Sequence, residues 1–460
     1  MIIEALKRIV GPKGFLEGAD ISPAFHHDIS GERSGFPSLV LRPASTLEVS
    51  AILRLCEGAG QPIVPQGGMT GLVSAGTPAP GEIALSLQRM NSIEDIDEAA
   101  ATMTVQAGCP LQAVQEAADA CGLFFPLDIG SRGTCTIGGN LSTNAGGNRV
   151  IRYGMARELT LGVEAVLADG TVLDSLNKMR KNNAGFDLKH LFIGTEGTLG
   201  VLTRAVLLLH PKPRSQLVAF CALPGFKAAI SLLRLLRSEL GGRLSAFEAL
   251  WQNSYRLVIE TVPSVRKPLQ AEAPVYVLVE ATGTHPAADE TAFESALASA
   301  LENGVVDEVV IARSLTEVHD LWAVRDGISE AVLKLNPFLS YDVSMPVGEM
   351  DVFAEFAMTR IARDWPNARV GVFGHIGDGN LHIVTNVGED GATPRAVVDE
   401  LIYGATRRAR GSVSAEHGIG FQKRAWLSYS RTPEEIGLMR KLKASLDPKG
   451  ILSPGRVLCP

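Results

Sequence analysis

The chain has 460 residues, too many for one ordinary hydrophobic core, so two or three domains are expected. Hydrophobic residues make up 46%, charged residues 20%, and the net charge is −7, which excludes a disordered or fibrous chain and a nucleic-acid binder working through a basic face. The six cysteines (Cys56, Cys109, Cys121, Cys135, Cys221 and Cys459) form no C-x-x-C pair, which argues against a zinc knuckle, an iron–sulfur cluster or a disulfide framework and for a reducing compartment.

The opening MIIEALKRIV lacks the long apolar stretch and small-residue cleavage site of a secretory leader. No run of about 18 uncharged apolar residues follows, so a cytoplasmic protein without a membrane span is expected. Ser45-Thr46-Leu47-Glu48 reads as a capping box opening a helix to about Glu57, with Val49, Ile52, Leu53 and Cys56 on its apolar face and Gly58 and Gly60 ending it. Ile63-Val64 is a short strand. Ile83–Leu87 and Thr102–Ala107 read as strands and Leu111–Ala120 as a helix. Val163–Leu167 and Thr171–Asp174 flank an Asp169-Gly170 hairpin signal, and the apolar run Val201–Leu209 reads as a buried strand.

Three glycine-rich loops punctuate this half. The first is Pro65-Gln66-Gly67-Gly68-Met69-Thr70-Gly71-Leu72, directly after a strand. Paired glycines let the backbone turn tightly and present N–H groups to an anion, to which Thr70 adds a hydroxyl. The second runs through Pro126, Asp128, Ser131, Thr136, Gly138, Gly139, Asn140, Thr143, Asn144, Gly146 and Gly147. The third is Gly194-Thr195-Glu196-Gly197-Thr198-Leu199-Gly200-Val201. So many glycines are costly in backbone entropy, and they make sense if the backbone itself is the binding surface. Neither a Rossmann fingerprint nor a Walker A motif is present, so the cradle suits a dinucleotide pyrophosphate held in another way. A lone loop of this kind is as often a plain turn.

Pro211-Lys212-Pro213 breaks the chain, and a domain boundary is placed there. Beyond it, helices near 225–240, 288–302, 316–335 and 350–363 alternate with strands near 275–281, 308–313, 339–345, 369–374 and 380–387. That is an α+β pattern with a mainly antiparallel sheet and flanking helices. The expected division is 1–213, 214–410 and a segment 411–460 returning to the first domain.

The histidines concentrate late: His375 and His382 flank a Gly-Asp-Gly turn, and His417 follows Glu416. Two histidines and a carboxylate leave open positions on a divalent metal for a bidentate ligand, and Glu416 is the natural third ligand. A 2-hydroxy acid is such a ligand, and a neutral His417 suits proton abstraction near pH 7. Taken alone, two histidines seven apart around a turn are more often structural than ligating, and Glu416-His417 suits an ordinary solvated pair. On the helix Glu317–Leu335, Trp322, Arg325 and Ser329 share one face; Arg325 can clamp a carboxylate, or pair with Asp320 or Asp326.

Together these stretches, from about Pro43 to Leu458, resemble the vanillyl-alcohol oxidase/p-cresol methylhydroxylase (PCMH) superfamily, and within it the D-2-hydroxy-acid dehydrogenases, which include D-2-hydroxyglutarate and D-lactate dehydrogenases and the glycolate oxidase D subunit. The resemblance implies a PCMH-type FAD-binding domain of two α+β subdomains plus a cap domain. It implies FAD on the loops named above, non-covalent because the first loop has no histidine to tether it. It places a divalent metal, zinc first, on His375, His382 and Glu416, the catalytic base at His417, the substrate-carboxylate arginine at Arg325, and substrate contacts at Trp322 and Ser329. The implied reaction is oxidation of a D-2-hydroxy acid to the 2-oxo acid with hydride transfer to flavin N5, electrons leaving to an external acceptor such as electron-transfer flavoprotein or a quinone, with a homodimer as an option. Two positions depart from the D-2-hydroxyglutarate enzymes: Ser340 stands where they carry Lys, and Val384 where they carry Asn. Both changes remove polar groups, which favours a shorter or more apolar substrate such as D-lactate. An oxygen-using oxidase, a metal-dependent hydrolase with structural glycine loops, and a subunit of a larger complex are the competing readings.

Overall fold

The computed structural model describes residues 2–387 and 395–459. The chain divides into two compact units, one made of Met1–Gly147, Gly154–Lys212 and Glu416–Pro460, the other of Asn148–Tyr153 and Pro213–Ala415.

The first unit carries three sheets, the smallest a two-stranded pair of Leu123–Phe124 and His210–Pro211. One has four strands in the order Phe15–Glu17, Leu39–Leu41, Ile83–Ser86, Ile63–Gln66, the last three parallel to one another. The parallel crossover is the helix Thr46–Ala59. Its start is set by Ser45, whose Oγ accepts from Glu48 N at 3.2 Å, and its end by Gly60 at φ 66°. Its buried face of Val49, Ile52, Leu53 and Cys56 packs with Leu39, Leu41, Ile63, Ile83 and Leu85, each large aliphatic side chain contributing about 1.5–3 kcal/mol. The third sheet is antiparallel, in the order Ile93–Asp97, Thr102–Gln106, Val201–Leu208, Thr160–Val166, Val172–Ser175. Val201–Leu208 is its central strand, which explains the unbroken apolar run. The chain's last stretch closes this unit: Leu452 bridges Ile63, and the fully buried Arg456 pairs with both carboxylate oxygens of Glu82.

The second unit is built on one seven-stranded antiparallel sheet in the order Glu308–Ile311, Ser215–Leu223, Val275–Gly283, Leu244–Trp251, Arg369–His375, Asn380–Asn386, Leu339–Ser344. Helices Gln252–Thr261 and Leu315–Leu333 cover the apolar part of one face, burying Val258, Val324 and Ile328 against Phe220, Tyr276, Leu278, Leu250 and Phe373. The α+β class and the mainly antiparallel sheet are as expected. Strands Ser215–Leu223 and Leu244–Trp251 and helices Gln252–Thr261 and Arg395–Arg408 have no counterpart in the sequence reading. The excursion 148–153 was equally invisible. It is held by Arg149, whose Nε donates to Glu280 Oε1 at 3.0 Å, and by Arg152 on Thr282. Among the described residues no helix is long and apolar enough to cross a membrane.

Candidate functional site

In the first unit the glycine loops meet one another. Gly194 N donates to Leu141 O at 2.9 Å and Glu196 N to Ser142 O at 2.8 Å, which ties the third loop to the second. A Cβ on Gly68 would stand 2.0 Å from Thr134 O, one on Gly67 2.5 Å from Thr136 Oγ1, and one on Gly147 1.9 Å from Asp128 O. These glycines are therefore required by loop-to-loop packing, beyond any approach to a phosphate. Thr136 caps the short helix Ile137–Thr143, and Asn144 ends it at φ 51°. Among the described residues, the backbone N–H groups from Gly67 to Gly71 donate to no protein acceptor, and the half-buried stretch carries Met69 at φ 54°. Such a run of amides with a left-handed residue inside it is the backbone form that takes an anion. Beside it the buried Gln66 Oε1 and Ser453 Oγ lack hydrogen-bond partners. A phosphate-bearing, polar ligand such as FAD fits this donor set.

In the second unit, strand alternation assembles a polar row on one face of the sheet. Glu248 is the cross-strand partner of His375, Phe373 of His382, and His382 of Asp342, so four adjacent strands present Glu248, His375, His382 and Asp342 to the same side. His375 and His382 are buried, their rings 5.6 Å apart, with ligand nitrogens within 4.8 Å of each other. Glu248 Oε1 lies 2.6 Å from His375 Nδ1, and Glu248 Oε2 accepts from Arg325 Nε at 2.9 Å. Burial alone would raise the Glu248 carboxyl; the charges of His375 and Arg325 and their hydrogen bonds outweigh it and hold the carboxyl below its ordinary value. A carboxylate on Nδ1 fixes the imidazole so that Nε2 carries the lone pair, the arrangement of a metal-binding histidine. On the same face Asn380, two residues before His382, is buried with neither amide atom partnered. An oriented imidazole and a second one beside it, next to the unsatisfied amide of Asn380, fit a divalent cation and a polar ligand.

Arg325 projects from helix Leu315–Leu333 at the border between the apolar cover and this row, its guanidinium 5.2 Å from the Phe373 ring, which in turn stacks on His382 at 4.9 Å. Its partner is Glu248 rather than Asp320 or Asp326. Trp322 packs partly buried against the core one turn earlier, and Ser329 is exposed one turn later. Ser340 and Val384, the two departures, are direct cross-strand partners, Val384 buried in the core and Ser340 exposed. Asp342 Oδ2 accepts from Ser414 Oγ and Ala415 N at 3.2 Å each, which anchors the end of this unit. Glu416 and His417 are the next two residues of the chain, counted with the first unit. There Glu196, expected at the cofactor, uses its carboxylate on Ile419 and Gly420 amides.

Glu248 is the residue the sequence reading missed. Its signal is present: Leu244-Ser-Ala-Phe-Glu-Ala-Leu-Trp251 places one carboxylate inside an otherwise apolar strand, and a charge there is tolerated only if paired. Glu280 in Val275–Gly283 repeats the signal and finds Arg149.

Residues 37–175 match the family described as FAD binding domain, and residues 212–457 match FAD linked oxidases, C-terminal domain. The chain is 40% identical over 456 residues to D-2-hydroxyglutarate dehydrogenase, mitochondrial, of Arabidopsis thaliana, covering 99% of this chain and 81% of that one. It is 37% identical to a putative mitochondrial D-lactate dehydrogenase of Schizosaccharomyces pombe, covering 98% and 89%. Among solved structures it shares its fold with p-cresol methylhydroxylase with substrate bound, at a TM-score of 0.74 and 15% identity over 100% of this chain and 96% of that one.

Proposed function

The chain belongs to the FAD-linked oxidases, in the group of the D-2-hydroxy-acid dehydrogenases, and from that premise we propose that it oxidises a small D-2-hydroxy acid of the D-lactate or D-2-hydroxyglutarate type to the 2-oxo acid with the help of a metal. The observation that carries the reading is the buried pair His375 and His382 with Glu248 on His375 Nδ1 and Arg325 on Glu248. FAD, held non-covalently by the three glycine loops, supplies when bound the acceptor for the electron pair leaving C2. A divalent metal on His375, His382 and Glu416, zinc first among the candidates, supplies when bound a Lewis acid that lowers the pKa of a hydroxyl.

The chain's own groups do the rest. Glu248 fixes the His375 tautomer. Arg325 spends Nε on Glu248, its Nη2 stands 3.5 Å from His375 Nε2, and Nη1 is left for the substrate carboxylate, so the same ion pair that orients the histidine also aims the clamp. His417 takes the hydroxyl proton, and Trp322 and Ser329 flank the clamp on the same helix. Electrons leave to an external acceptor, electron-transfer flavoprotein or a quinone, and the subunit pairs as a homodimer. A cytoplasmic location is supported by six cysteines without a disulfide, although relatives of this chain carry mitochondrial names.

The test is anaerobic mixing of purified protein with D- and L-2-hydroxy acids, with and without a chelator. Bleaching of the flavin by D-acids only, and its loss with chelator while flavin stays bound, is expected. His375→Ala and His382→Ala should lose metal and turnover and keep flavin. Full turnover in both variants would overturn the metal role, and loss of flavin in them would make the histidines structural.

A further inference from the structure

We propose that Glu196 is a positioning residue of this enzyme: its carboxylate grips the chain at Ile419 and Gly420 and thereby sets where Glu416 and His417, just upstream, stand. The inference rests on the roles given above to Glu416 and His417.

Glu196 is buried at 7% exposure, and both carboxylate oxygens are in use: Oε1 accepts from Ile419 N at 2.7 Å and Oε2 from Gly420 N at 2.8 Å. Its partners come from a backbone shaped to hold an anion. Gly418 and Gly420 lie at φ 86° and 50°, on either side of Ile419, and left-handed residues in such a run gather successive N–H groups on one side. The anion this nest holds is the protein's own carboxylate.

The fit is tight from both directions. A Cβ on Gly418 would stand 2.8 Å from Glu196 Oε1, and one on Gly420 would stand 2.1 Å from Val73 O. Glu196 itself is held at φ 54°, a conformation costly for a side-chain-bearing residue, between Gly194 and Gly197 at φ 84° and 72°. Its own N–H is fixed on Ser142 O at 2.8 Å. A glycine would occupy this position without strain. A glutamate does so with its far end bound, so the strained backbone aims the carboxylate.

Downstream the chain is fixed as well, with Phe421 N on Val73 O and Val457 N on Gly420 O, each at 3.0 Å. Glu196 thus marks the point where a rigid stretch begins, two residues after His417. Both partners are donors, which suits an ionised carboxylate, while burial pushes this carboxyl above its ordinary value. A carboxamide offers one acceptor oxygen and turns its NH2 toward a second N–H.

The experiment compares Glu196→Gln with wild type and with His417→Ala, all purified with flavin. For Glu196→Gln we expect kcat to fall about 10- to 100-fold, the loss that one charge-assisted hydrogen bond converts to. KM should change less than the rate, flavin stoichiometry and absorbance should stay as in wild type, and the metal content of the purified protein should drop. Loss of flavin in step with activity would make Glu196 a cofactor ligand and overturn the proposal, as would wild-type kcat and metal content. If Glu196→Gln does not fold, Glu196→Asp keeps the charge but shortens the reach to the same two amides and must show the same pattern. His417→Ala separates the layers: if it is inactive while Glu196→Gln is normal, only the positioning role fails, whereas full turnover of His417→Ala removes the base assignment beneath it.

Discussion

Replacing Glu248 by Gln would take the negative charge out from between the His375 imidazole and the Arg325 guanidinium while keeping the side chain's volume. In the wild type that carboxylate, fully buried, sits 2.6 Å from His375 Nδ1 and 2.9 Å from Arg325 Nε. Hydrogen bonds to charged groups contribute about 1.5–3 kcal/mol each, and breaking a buried pair by removing one partner costs about 3–5 kcal/mol. The two routes agree, so a loss of about 3–5 kcal/mol is expected. For a unit of this size that corresponds to a fall in Tm of about 6–20 °C. The histidine loses its fixed tautomer too, and such outer partners are worth about 10- to 100-fold in metal affinity. Scanning calorimetry would give the first number, and titration of the metal against a chromophoric chelator the second. Acidification should imitate the variant. The carboxyl is held low in the folded state, so its stabilisation is present above the ordinary value of 4.5 and lost as pH falls through the depressed folded value. An unchanged Tm would refute the ion-pair argument, and a lowered Tm with unchanged metal affinity would refute the tautomer argument alone.

Three further outcomes are expected. Gly68→Ala puts a Cβ 2.0 Å from Thr134 O, so the loop must shift; flavin content on purification should drop while metal content holds, and full flavin occupancy would contradict the packing account. Glu280, buried and held low by Arg149 against its desolvation, should make the wild type lose stability as pH falls below 4.5; Glu280→Gln should be less stable above that pH and show a flatter acid limb in thermal melts. Because Ser340 and Val384 face each other without a cation or amide between them, turnover of D-lactate or another monocarboxylate should match or exceed that of D-2-hydroxyglutarate, and a large steady-state preference for the dicarboxylate would sink that reasoning.

What could be read from the residues alone followed local rules. The helix Thr46–Ala59 announced itself by Ser45 and Gly60, and Leu111–Ala120 by its spacing, because caps and periodicity are encoded within a few residues. The histidine turn was legible as Gly-Asp-Gly. What was illegible depends on pairing across distance. Glu248 and His375 are 127 residues apart, and only the register of two strands makes them neighbours. The excursion 148–153 has no sequence signature, since its anchor Glu280 lies 131 residues downstream. The partners of the Glu196 carboxylate were hidden for the same reason: the amides that bind it come from a loop more than 200 residues later in the chain.

The pairing of Arg456 with Glu82 bears on how the chain is made. These two residues are separated by 374 positions, so Glu82 is made long before its buried counter-ion. The second unit, by contrast, has all its residues once Ala415 has emerged, including the early stretch Asn148–Tyr153 that neutralises Glu280. Biosynthesis therefore delivers the second unit complete before the first. Deleting Arg456 would strand Glu82 without its cation and strike the unit whose strands come first in the sequence.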